Sequence, residues 1–172
     1  MELFYRFFQP QIPTYIVVIT AGIAIIACLF RWRYRHTTIN HYISIWMAAC
    51  VFLMLYTTII RREPQITYKI NLMPLWSIKA IQSGLIEVLY EKMYNVIFFI
   101  PYGILLGLYH THNFAKAILF GLFTSIGIEF LQLITRTGMC ETDDVICNTL
   151  GCAVGAMIGA GICRVTRNLR YR

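Results

Sequence analysis

Apolar runs of 17 to 21 residues recur at positions 12–30, 42–60, 93–109, 114–134 and 145–163, separated by short polar stretches. At the helical rise each is about long enough to cross a hydrocarbon core of roughly 30 Å. The pattern predicts about five transmembrane helices. Glycines and Pro101 inside the runs do not argue against helices, because each helix satisfies its own backbone and neighbours supply what a proline removes. Pro101 frees the carbonyl of Ile97 and permits a kink. The run at 12–30 is not read as a cleaved leader: a single basic residue, Arg6, precedes it, and the arginines at 31–35 follow it, the reverse of the signal-peptide order.

The one sizeable stretch between runs, residues 61–92, has its own period. Ile78, Ile81, Leu85 and Val88 recur at helical spacing, with Lys79, Gln82, Ser83, Glu87 and Glu91 largely on the other side and Ser77 placed to cap the start. This predicts an amphipathic helix lying in the membrane interface or packed on the spans as a lid. The expected fold is therefore all-α: a polytopic membrane helix bundle plus an interfacial amphipathic helix, in one membrane domain covering residues 1–172.

Composition agrees with the pattern. With 58% hydrophobic and 13% charged residues there is too little charge to solvate a globular surface. The net charge of +7 sits at span ends without an aromatic and basic reading surface, which argues against nucleic acid. Residues 31–41 carry three Arg and two His with no acid, and the tail carries Arg164, Arg167, Arg170 and Arg172. Both segments are expected on the cytoplasmic side, with the N-terminus outside and the C-terminus inside. Every acid except Glu129 then falls on the outer side, as do residues 61–92 and 135–144. The six cysteines show no ligand spacing, and only Cys140 and Cys147 stand where an oxidant would reach them.

Candidate chemistry concentrates at the predicted outer end of the last three runs. Glu129 lies about five residues, roughly 8 Å, inside its span and must be neutral or partnered. Gln132 and Arg136 follow it on one helix face, with Ser125 and Gly121 extending that face inward. In the next span Asp144, Asn148, Gly151 and Gly155 share a face, and Gly151, Gly155 and Gly159 form a small-xxx-small seam. The connection Thr137 to Thr142 forces these two spans into an antiparallel pair, so Glu129, Gln132 and Arg136 are expected to meet Asp144 and Asn148, with Arg136 turned inward toward a carboxylate. Asn95 adds an amide from the third span. Asp143, in the first turn of its helix, is equally suited to capping that helix.

The ordered set Asn71-Leu72-x-Pro74, Asn95-x-x-x-Phe99-x-Pro101-x-Gly103, Glu129-x-x-Gln132, Arg136 and Asp144-x-x-x-Asn148-x-x-Gly151-x-x-x-Gly155 resembles the VanZ-like family over residues 71 to about 160. Leu75 stands where many members have Phe, and Cys152 and Ala153 interrupt a more glycine-rich stretch. The resemblance implies a small polytopic protein of the bacterial cytoplasmic membrane, linked through the family's founder to glycopeptide (teicoplanin) resistance. It supplies no reaction. Some members carry a label for acyl-CoA phosphate chemistry, but this chain has no P-loop or nucleotide fingerprint.

The leading functional expectation is an outward polar pocket formed by Asn95, Glu129, Gln132, Arg136, Asp144 and Asn148. It would bind an amphiphile from the surrounding bilayer: a lipid-linked wall precursor, a lipid head group or a lipoglycopeptide. The alternative is an intramembrane enzyme using Glu129 and Asp144 as acid and base. No activated nucleophile accompanies them, since His36, His41, His110 and His112 all belong to the cytoplasmic side. Ion-coupled transport lacks the inverted repeat that such proteins carry. A divalent ion among Glu141, Asp143 and Asp144 is not predicted, because acid-rich helix starts are common without metal. No cofactor is expected.

Overall fold

The computed structural model describes residues 38–111 and 113–168, so the expected first span at 12–30 lies outside the described residues. The elements are α1 (Thr38–Leu55), a π turn (Tyr56–Ile60), β1 (Lys69–Asn71), α2 (Trp76–Gln82), α3 (Ile86–Tyr109), α4 (Phe114–Thr135), β2 (Met139–Glu141) and α5 (Thr142–Asn168). The fold is an all-α bundle. Four helical segments are long and apolar enough to cross a membrane: Tyr42–Ile60, Ile86–Tyr109, Phe114–Thr135 and Thr142–Arg167. They correspond to the second through fifth expected spans.

α3 is the central helix of the described bundle, far more buried than the first of these spans. Its closest neighbour is α5, which runs parallel to it, and glycine is what permits the approach. A Cβ on Gly151, Gly155 or Gly159 would overlap the carbonyl oxygens of Val96, Ile100 and Ile104 in turn. Gly103 and Gly107 return the contact against the backbones of Cys152 and Ala156. In a membrane interior, where apolar burial gives helices little reason to prefer each other over lipid, such backbone approach is the main source of association. Cys152 also faces Gly121 of α4, and wholly buried Leu105, Leu106 and Cys152 lie where the helices converge. α3 continues as helix through Pro101.

α1 ends in the π turn. Thr57 and Thr58 bond back to the carbonyls of Leu53 and Met54, at 2.9 Å and 3.0 Å for Thr57 and 2.7 Å for Thr58. Hydroxyls that occupy preceding carbonyls compete with the regular ladder and favour a locally widened helix.

The interfacial helix differs from expectation. It does not run from Ser77 to Glu91; it stops at Gln82. Gly84 takes φ 96, its N–H donates to Ile81 at 3.0 Å, and the Leu85 N–H donates to Ala80 at 3.1 Å. This paired closure in a left-handed conformation is a Schellman ending. The chain then restarts as α3 at Ile86, seven residues before the expected start of that span at 93, so Glu87, Glu91 and Lys92 belong to a spanning helix. Ser77 is not a cap either, since Leu75 holds the N-cap position at φ 60.

The apolar pattern also missed a small sheet. β1 pairs parallel with β2, Lys69 opposite Met139 and Asn71 opposite Glu141. Three helices separate the strands in sequence, and the pairing fastens the connection after α1 to the connection between α4 and α5.

Candidate functional site

The site lies at the end of the bundle where α3 and α5 begin and α4 finishes. Period 3.6 puts Ser125, Glu129 and Gln132 on one face of α4, and all three are buried, at 0%, 4% and 5% exposure. Glu129 accepts a hydrogen bond from the backbone N–H of Glu141 at 3.0 Å. Asn148 of α5 donates from Nδ2 to Ser125 Oγ at 2.9 Å. Asn95 of α3 lines the same cavity as Asp144. Glu129, Gln132, Asp144, Asn148 and Asn95 therefore come together around a cavity of about 870 Å³, whose apolar walls include Met54, Phe98, Phe99 and Ile128.

Arg136 is the exception. It ends α4 at φ 57, is exposed, and lays its guanidinium over the ring of Tyr68, 5.6 Å from the centroid. The left-handed backbone that closes α4 turns its side chain away from the face carrying Glu129, so the expected inward ion pair is not formed.

The buried cation is Lys92. Its Nζ lies 2.7 Å from Glu141 and 2.5 Å from Asp144, with Glu91 at 3.8 Å. The Trp76 ring stacks on it at 5.6 Å, and Trp76 Nε1 donates to Glu141 at 3.0 Å. Burial pushes the Glu141 carboxyl above the ordinary carboxylate range, opposed by the hydrogen bond from Lys92. Lys92 had a signal in the sequence, because it stands three residues before Asn95 on the same helix face. A span placed at 93 hid it.

Arg62, just beyond the π turn, is the second cation that sequence reasoning missed. It lines the cavity and donates to the Thr137 carbonyl at 3.5 Å. Burial lowers its pKa, while Glu91, Asp144 and Glu129 act in the opposite direction.

Asp143 caps a helix, but not its own. Its carboxylate accepts from the Leu75 N–H at 2.5 Å, from the Ser77 N–H at 2.9 Å and from the Ser77 hydroxyl. These are free donors at the start of α2, delivered to an acid 66 residues away. Asn71 accepts from the Met73 N–H at 3.2 Å, the turn bond its type favours.

Glu91, Glu141 and Asp144 bring three carboxylate oxygens within 4.8 Å of one another, a spacing that also suits a metal ion. The Lys92 ammonium already bonds two of the three, supplying the positive charge that such a group requires. Cys140 and Cys147 are free thiols.

Four helices long and apolar enough to span a membrane, around a buried polar cluster, make this an all-α membrane protein. The family model VanZ/LLP1 matches residues 40–164, and the chain belongs to the VanZ/LLP1 family. The match reaches back through α1, well before the motifs at 71 to 160. No curated protein and no solved structure matches the chain significantly.

Proposed function

We propose that this membrane protein of the VanZ type takes the head group of an envelope amphiphile into the cavity between α3, α4 and α5, with the amphiphile's chains left in the bilayer. A lipid-linked wall precursor, a lipid head group and an acylated glycopeptide all fit that description. Sequestering any of them would link the protein to teicoplanin tolerance in a bacterial cytoplasmic membrane. The observation that carries this reading is the cavity itself: about 870 Å³, with Asn95, Glu129, Gln132, Asp144 and Asn148 on apolar walls. Small-molecule sites have this character, mostly apolar with a few convergent polar groups. The basic segments at 31–35 and 164–172 support an orientation in which the cavity opens outward.

Direct capture tests it. Purified protein in lipid nanodiscs is expected to bind envelope lipid extract, a lipid-linked precursor or teicoplanin saturably, and absence of saturable binding to all three refutes the reading. Asn148→Ala is expected to weaken that binding at normal membrane abundance, whereas Gly155→Leu acts by lowering abundance. The acid and base alternative has less support, because Asp144 is bonded by Lys92 and Glu129 by a backbone N–H. Turnover of a candidate lipid that is lost in both Glu129→Gln and Asp144→Asn would favour it instead.

A further inference from the structure

Resting on the reading of the cavity as an amphiphile site, we propose that its ligand is aminated: the head group presents a primary ammonium with neighbouring hydroxyl or amide donors, as an aminosugar does, rather than a bare phosphate.

The lining is rich in acceptors. Glu87, Glu91, Glu129, Glu141 and Asp144 contribute five carboxyl groups, against Arg62 and Lys69 on the lining and Lys92 beside it; Glu141 and Asp144 share Lys92, and buried Glu129 accepts a backbone N–H. The charge of Arg62 already has Glu91, Asp144 and Glu129 acting on it. Lys69 is exposed on β1, and Arg62 donates to the Thr137 carbonyl. Lys92, beside the cavity, is committed to Glu141 and Asp144. A phosphate entering this space would meet the carboxylates of Glu87 and Glu91 and the acceptor oxygens of Glu129, Glu141 and Asp144, and like charges in a partly desolvated site are costly.

The buried amides point the same way. Gln132 and Asn148 line the cavity at 5% and 4% exposure. The Oε1 of Gln132 and the Oδ1 of Asn148 have no hydrogen-bond partner. A buried acceptor left unsatisfied costs about 1–3 kcal/mol, which a donor on the ligand would recover. The protein also shows what its acids recognise. The group lying between Glu141 and Asp144 and within 3.8 Å of Glu91 is itself a primary ammonium, that of Lys92. Glu91 keeps 45% of its side chain exposed and can take a second one from the cavity side.

Three probes with the same dodecyl chain separate the possibilities: the glucosaminide, its N-acetyl derivative and the phosphate. Each is titrated calorimetrically into the full chain in neutral nanodiscs, with empty nanodiscs subtracted. The glucosaminide is expected to bind about tenfold more tightly than the phosphate, with the uncharged N-acetyl derivative between them. Glu91→Gln is expected to narrow the advantage of the amine over its N-acetyl derivative by about threefold, as suits a partly exposed ion pair. A phosphate that binds as well as the glucosaminide overturns the inference and leaves the amphiphile site standing. An amine preference undiminished in Glu91→Gln overturns the assignment to this acid cluster. If none of the three probes saturates, the aminated-ligand inference is overturned, while the amphiphile site stands or falls on the binding of envelope lipid, precursor and teicoplanin.

Discussion

Lys92 places an ammonium, 5% exposed as a residue, between two carboxylates from the connection and the helix that follow α4. Removing one partner of a buried pair strands the others, at a cost of about 3–5 kcal/mol. Lys92→Met is therefore expected to lower the apparent Tm in nanodiscs sharply, and the triple variant Lys92→Met, Glu141→Gln, Asp144→Asn to recover much of the loss. Arg136→Met, on an exposed side chain, should stay within about 0.5 kcal/mol of the parent. The pH dependence follows from burial. Because burial raises Glu141, the stability contributed by its neutral form is fully present below the ordinary carboxylate value of about 4.3 and is lost as pH rises through the raised value. With the offsetting cation gone, Lys92→Met should lose Tm more steeply between acid and neutral pH than the parent does. Cys140 reports on the same surroundings: burial first, then Glu129, Asp144 and Glu141, raise its thiol. With the other cysteines replaced, Cys140 should react with iodoacetamide more slowly at pH 8 than a free thiol and gain rate above the usual thiol range; an ordinary rate would contradict this. Among these residues the α4 face was legible in the sequence, since Ser125, Glu129 and Gln132 lie on one helix and need only its period. Arg136 was misread because that period was carried one residue past the helix, into a left-handed cap.

Helix ends and helix partners depend on contacts that one sequence does not display. The split at Gly84 had a local signal, a glycine inside an amphipathic pattern, yet the apolar period of Ile78, Ile81, Leu85 and Val88 runs straight across it. The caps of α2 had none, because their acceptor is Asp143. Asp143→Ala is expected to free residues 75–82, read as faster amide exchange there with the spans unchanged, at about 1.5–3 kcal/mol for hydrogen bonds to a charged group. Asp143→Asn keeps one acceptor and should fall between. Equal exchange in parent and Asp143→Ala would show that α2 is held by its packing alone. The glycine seam was readable as a close approach, but the sequence did not say whose. It is α3, in parallel, that Gly151, Gly155 and Gly159 meet.

Over the whole molecule, the helical class, the number of described spans and the clustering of amides with acids at one end could all be drawn from the apolar pattern and its polar interruptions. What could not were the pairings across long separations: Lys69 with Met139, Leu75 and Ser77 with Asp143, and Lys92 with Glu141. Orientation belongs to this scale too. A cysteine probe at position 168, in a background without native cysteines, is expected to resist an impermeant reagent in intact cells and to react once the cells are opened. Labelling in intact cells would reverse the topology. The pairing of β1 and the start of α2 with residues 139 to 143 sets an order of assembly. Synthesis runs from the N-terminus, so α1, α2, α3 and α4 have all been made before their fastening partners leave the ribosome. Until then the segment after α1 has neither its strand partner nor its cap, and the acids that hold Lys92 do not yet exist. A nascent chain halted before residue 139 would carry three of the four described spans and no closed site, with the connection at 61–85 open to protease; the final helical hairpin closes it in one step.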